Sequence, residues 1–197
     1  MPKPLPKLSL SHGQVAWALS LGASPTQTLL DQLRYLRELG IPFEESELGR
    51  GRGNRLRYSY DELIEVGVAV FALRRGVAPR DIAQILGGRR GFLRRHCRKI
   101  YLEQPDEALN DTWVKSRGRE IPVWGSEPFL RLHDRHSDQP GKLDLLLDIK
   151  ASDLSQVLGF HELYPGEMAR TLVPLRRLVL ELVAWALEAP ETRPGPQ

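Results

Sequence analysis

The sequence predicts a mainly α-helical chain. It places a small two-stranded β wing in the first half and a mostly helical second half with short strands. Three observations predict this. Apolar residues recur at helical spacing in segments separated by glycine or proline. One segment breaks that rhythm and alternates apolar and cationic residues after a glycine-rich turn. The charge is also unevenly spread: residues 1–104 hold 17 basic and 10 acidic side chains, a net of +7, whereas residues 105–197 hold 11 and 15, a net of −4. A basic half and an acidic half point to one part facing a polyanion and another with a different task.

The elements follow in order. Residues 1–8 read as a flexible lead-in. Val15, Ala16, Ala18 and Leu19 suit a short helix over 12–20, broken by Gly22 and Ala23. Ser24 is the expected cap of a second helix, with Pro25 in its first turn and a stripe of Leu29, Leu33 and Leu36. Gly40 and Pro42 end it. Residues 43–58 read as a hairpin around Gly49–Asn54, with Leu56 and Tyr58 on one face and Arg55 and Arg57 on the other. Ser59 to Glu62 has the spacing of a capping box for a helix with Leu63, Val66, Val70 and Leu73 inside, stopped at Gly76. Pro79 starts a short helix stopped by Gly87-Gly88, and a further helix covers 89–103, with Arg94, Arg95, Arg98 and Lys99 around Phe92, Leu93, His96, Cys97 and Ile100. Those cations read equally as a solvated face or as part of a polyanion-facing surface.

In the second half, residues 105–142 are polar and turn-rich, with a short strand expected at 121–124. Residues 143–149 fit a strand or a helix, and a short helix is expected from Ser152 or Asp153 to Gly159. Over 166–188, Leu172, Leu175, Val179, Leu182 and Ala186 continue a heptad-like seam from Met168. Pro174 interrupts it, so the segment reads as one kinked helix or as a short helix followed by Pro174–Glu188. The seam is either core or a dimer interface. Residues 105–189 are thus expected to form a dimerisation, effector or interaction domain behind a DNA-binding domain at 9–104, with a disordered tail at 190–197.

Composition narrows the function. One cysteine, Cys97, excludes an intramolecular disulfide framework and fits a reducing cytoplasm. No apolar run approaches the roughly 18 residues of a membrane span, and Met1–Pro6 lacks a signal-peptide core. Of the 28 basic residues 22 are Arg, whose planar fork suits phosphate and guanine edges, although a GC-rich genome gives the same bias. Arg50, Arg52, Arg55 and Arg57 sit in a stretch with no acid between Gly49 and Tyr58. Beside a helix-turn-helix, such an arm can span a groove and its flanking phosphates. Thr26, Gln27 and Thr28 at the start of the second helix are of the types that reach base edges or phosphates.

Three motifs then resemble the MerR family of winged-helix transcription regulators over about residues 9–87: Arg34-Tyr35-x-x-x-Leu39-Gly40-Ile41, Arg57-Tyr58-Ser59-Tyr60-Asp61-Glu62-Leu63, and Leu73-Arg74-Arg75-Gly76-Val77-Ala78-Pro79-Arg80-Asp81-Ile82. The resemblance implies a cytoplasmic, nucleoid-associated bacterial dimer that grips a two-fold operator in double-stranded DNA and bends or twists it. It implies contacts from Arg34 and Tyr35 on the second helix and from Arg57 and Tyr58 on the wing. The stretch from Gly22 to Gly40 is longer than the family's usual helix-turn-helix. The sensor cysteines of metal and redox members have no counterpart.

The remaining chemistry-bearing residues read blandly. His133, Asp134, His136 and Asp138, with His161-Glu162, have ligand-like composition but no companion cysteine, and no metal or cofactor is expected. Asp144 and Asp148 read as a solvated pair. No nucleophile elbow or phosphate loop is present, so an enzyme is not expected. The expected function is a sequence-specific DNA-binding regulator whose acidic half dimerises, senses or touches RNA polymerase. The alternatives are a DNA-architecture, excision or partition factor of a mobile element, and a winged-helix interaction module without DNA binding.

Overall fold

The computed structural model describes residues 4–43, 56–102, 113–116, 119–122, 126–133, 141–150 and 170–191. Helix α1 (His12–Leu19) opens with a complete capping box: the Ser11 hydroxyl accepts the Gln14 N–H at 3.3 Å, and Gln14 Oε1 accepts the Ser11 N–H at 2.8 Å. The chain turns through Leu21 and Gly22, both at positive φ. Helix α2 (Gln27–Glu38) follows, and its cap is Thr26 rather than the expected Ser24. Thr26, in extended geometry, turns its hydroxyl onto the Leu29 N–H at 3.3 Å. Leu29, Leu33 and Leu36 are buried as the stripe predicts.

Helix α3 (Tyr60–Arg74) starts at the expected Ser59, whose N–H donates to the Glu62 carboxylate at 2.8 Å. The sequence predicts one buried face. Instead every residue from Leu63 to Val70 is buried, and Leu73 only partly so. A helix apolar nearly all round needs cover on every side. Helix α4 (Pro79–Leu102) supplies part of it through Ile82, Ile85, Leu86, Leu93, Cys97 and Ile100. The two helices expected here are joined at a kink, where Arg89 leaves helical geometry (φ −129°, ψ 15°) directly after Gly87-Gly88.

The second half contains more strand than the sequence suggests. β1 (Trp113–Ser116) pairs antiparallel with β2 (Arg119–Pro122), so the two-stranded sheet among the described residues lies here. The expected hairpin turn, with residues 44–55, lies outside the described residues, as does the helix expected before Gly159. β3 (Ser126–His133) is the centre of a three-stranded antiparallel sheet, between β4 (Leu143–Lys150) and β5 (Arg170–Pro174). Leu130 faces Val173 and Leu132 faces Leu143 across the ladders, and all four are buried.

Pro174 closes β5 and caps helix α5 (Leu175–Leu187). The kinked 166–188 helix is therefore corrected. Leu172 is a strand residue opposite Arg131: Pro174 holds Val173, the residue before it, extended, and β5 runs through both. The dimer seam is corrected too. Leu175, Val179, Leu182 and Ala186 are buried inside the chain, against α1, α3, α4 and β3. Two glycines permit this close approach. A Cβ on Gly67 of α3 would collide with Leu182, and one on Gly22 would collide with the Trp185 ring. Trp185 meets Trp17 of α1 edge-on, with ring centroids 5.5 Å apart. Because α5 and the N-terminal helices share one core, Trp185→Ala should destabilise the whole unit by about 3 kcal/mol. Denaturant unfolding followed by far-UV circular dichroism and by fluorescence should give coincident transitions. A separate early transition for α5 would contradict this.

Candidate nucleic-acid interface

Two sets of arginines in the first half bear on the site. The inner set lies on α4, where Arg90, Arg94 and Arg98 are spaced by four and share a face. Opposite them α3 presents Asp61, Glu62 and Glu65. Arg90 Nε donates to Glu65 Oε1 at 2.8 Å, and Arg94 Nη2 donates to Glu65 Oε2 at 3.0 Å. Arg94 also lies 3.4 Å from Glu62 Oε1. Arg98 forks onto Asp61, with Nε donating to Oδ1 at 2.9 Å. Glu65 is fully buried. Burial pushes its carboxyl above the usual range, against the pull of Arg90 and Arg94.

The same arginines reach the corner where α2 ends. Arg90 donates to the Gly40 carbonyl at 2.7 Å and Arg94 to the Pro42 carbonyl at 3.4 Å. Arg94 is therefore a half-buried partner of α3, and Arg98 pairs with Asp61 while staying exposed like Arg95 and Lys99. Sequence reasoning missed this set. Its signal was the four-residue arginine spacing facing acids at i, i+1 and i+4 on a helix read as apolar.

The outer set surrounds α2. Leu10 and Tyr58 form an isolated antiparallel bridge with two hydrogen bonds of 2.9 Å, so the residues before α1 pair with those entering α3. The alternation holds: Arg57 is exposed and donates to the Ser9 carbonyl at 3.5 Å, whereas Tyr58 points inward. Tyr58 is corrected from a DNA contact to a core residue. It is 2% exposed, meets Phe43 edge-on and places its hydroxyl 3.2 Å from His12 Nδ1.

On α2 itself, Thr28 is exposed, the Arg34 side chain is 63% exposed and Tyr35 is 41% exposed. Arg34 lies 3.6 Å from Asp31, which also accepts from Gln27 at 2.9 Å. The Thr26 hydroxyl is engaged in the cap. Arg50, Arg52 and Arg55 lie outside the described residues. The structure thus brings Arg34, Tyr35 and Arg57 to the surface, Arg57 at the root of the arginine-rich segment.

Burial pushes the Cys97 thiol up to about 12, so the chain's one cysteine is an inert core residue. Among the described residues no group of three or more His, Cys, Asp or Glu is placed to hold a metal ion. Residues 134–140, 161 and 162 lie outside them, and the side chains of His133, Asp144 and Asp148 are likewise not described.

Burial and the charges of Arg37 and Arg34 hold His12 below its usual value of 6.5. The unfolded chain then binds this proton more readily than the folded one. Stability from His12 is complete above about pH 6.5 and is lost as pH falls through the histidine range, so His12→Gln should flatten that part of a stability–pH profile measured by thermal unfolding. Glu65→Ala leaves the half-buried Arg90 without its carboxylate and Arg94 with Glu62 alone, and should cost about 3 kcal/mol in urea denaturation. Glu65→Gln, which keeps an acceptor, should cost less. No family model, no curated protein and no solved structure matches the chain.

Proposed function

We propose that the chain is a sequence-specific DNA-binding transcription regulator of the MerR-like kind. The observation that carries this is the division of the arginines. The inner set is neutralised by α3 acids, while Arg34 and Arg57 are exposed around α2, beside a segment that adds Arg50, Arg52 and Arg55. Arg34 and Arg57 thus put exposed positive charge on the helix and arm that the resemblance assigns to DNA, while Arg74, Arg75, Arg80, Arg89 and Arg95 are exposed on α3 and α4. Arg34 and Tyr35 are offered to base edges or phosphates, and Arg57 and the arginine-rich segment to the flanking backbone. Tyr58 acts from beneath by fixing the root of that segment.

A two-fold operator and a homodimer belong to the same proposal. The buried face of α5 is occupied within the chain, so the dimer uses another surface. Half-site spacing in a footprint reports its geometry. Among the described residues no helix is long and apolar enough to cross a membrane.

The test is a genome-wide DNA pull-down with the intact protein, followed by footprinting of the recovered fragments. Protection of two related half-sites is expected. If no genomic fragment shifts at moderate salt, the reading fails. Arg57→Ala should weaken binding to all sequences alike and lower the salt slope by about 1, whereas Arg34→Ala should cost about 1–3 kcal/mol and relax specificity at one position.

A further inference from the structure

Helix α2 is fixed at both ends. Thr26 caps its start, and its end turns through Gly40, at φ +84°, into Ile41, whose N–H donates to the Leu36 carbonyl at 2.9 Å. That turn is gripped from α4 by two arginine bridges. Arg90 donates through Nε to Glu65 Oε1 on α3 at 2.8 Å and through Nη2 to the Gly40 carbonyl at 2.7 Å. Arg94 repeats this one turn on, with Nη2 3.0 Å from Glu65 Oε2 and 3.4 Å from the Pro42 carbonyl. Both bridges meet on one fully buried carboxylate, and the two arginine side chains are 12% and 22% exposed. A guanidinium is planar and rigid, so it holds two acceptors at a fixed separation, which an ammonium on a flexible stem does not. The end of α2 therefore cannot shift against α3 without breaking a bond in one of the bridges. Tyr35 lies in the last turn of α2, where its carbonyl accepts the Leu39 N–H at 3.1 Å, and Arg34 is its neighbour. Any shift of that end moves both exposed side chains.

We propose that Arg90 and Arg94, converging on Glu65, are positioning residues that set how α2 presents Arg34 and Tyr35, and so fix sequence discrimination on duplex DNA without touching it. The inference rests on the DNA-binding reading and adds three residues to it. Contacts to base edges need placement within about 0.5 Å. Contacts to phosphates hold the protein on the duplex whatever its sequence. Loosening the bridges therefore costs discrimination and spares affinity for mixed sequence. The bridging donors face a carboxylate and backbone carbonyls, so replacing these arginines leaves the salt dependence of binding unchanged.

The experiment presents a randomised duplex pool to the full chain and sequences what is bound, beside affinity for the unselected pool over a range of salt. Arg90→Lys and Arg94→Lys keep the charge and lose the bridge. Each should bind the unselected pool with wild-type affinity and salt slope, while enrichment of the preferred sequences falls about tenfold, the order of one lost base contact. Glu65→Gln, which keeps one acceptor oxygen, should lose enrichment in the same way. Leu182→Ala, a core lesion remote from the α2 corner, should lower stability and keep the wild-type enrichment. Lysine variants that enrich as the wild type does overturn the proposal. So does a lower salt slope in those variants, which makes the arginines phosphate contacts, and so does an equal loss in Leu182→Ala, which makes the effect one of stability. A wild-type protein that enriches nothing overturns the DNA-binding reading as well, which separates the two failures. If the variants at 65, 90 and 94 do not fold, the Nε–H signals of Arg90 and Arg94 in the wild type decide. Protection from solvent exchange both before and after duplex is added supports the positioning role, and loss of protection on binding overturns it.

Discussion

The structure depends on covering α3. From Leu63 to Val70 this helix has no solvent face, and it holds a carboxylate, Glu65, at full burial. Burying a charge is tolerated only with close partners, and burying apolar residues all round requires neighbours on every side. Both demands fall on other elements. Helix α4 meets them with Arg90 and Arg94 on one face, α2 covers another, and α5 covers a third through the contact between Leu182 and Gly67. The placement of α5, formally part of the acidic half, follows from this requirement.

The arginines illustrate how one residue type serves two physical ends. On α4 they exchange water for carboxylates and backbone carbonyls, and in doing so they tie the corner at Gly40 and Pro42 to the helical core. Around α2 they stay on the surface, Arg34 beside Asp31 and Arg57 against the Ser9 carbonyl. A sum of charges over the first half mixes the two populations. The three α4 arginines and the α3 acids Asp61, Glu62 and Glu65 cancel within the net +7 of that half, and a matched pair projects little field beyond its own dimensions, so the excess belongs to the other cations.

Local rules were the legible part. The boundaries of α1 and α3, the stripe of Leu29, Leu33 and Leu36, the glycine break before Arg89 and the alternation of Arg57 with Tyr58 all follow from capping, periodicity and turn chemistry within a few residues. Tertiary choices were not legible. Nothing near Tyr58 shows that its strand partner is Leu10 or that its hydroxyl meets a histidine at the start of α1. The heptad-like run through Leu172 counted correctly but crossed Pro174, where the backbone changes from strand to helix. The stripe beyond it could not reveal whether its partner was another copy or the chain itself. The clue lay far away in the small residue Gly67, in the middle of a helix that otherwise has every reason to avoid glycine.

The seat of Leu182 on Gly67 also has a consequence for the order in which the protein is made. The groove on α3 leaves the ribosome early, and the residues that fill it are translated only after more than half of the chain has followed. Until then the nascent helices carry an apolar surface that their own neighbours cannot close, and contacts between distant segments form late because a long loop must first be ordered. Vectorial synthesis therefore yields an open intermediate that recruits its own lid last, a state in which chaperone occupancy is favoured.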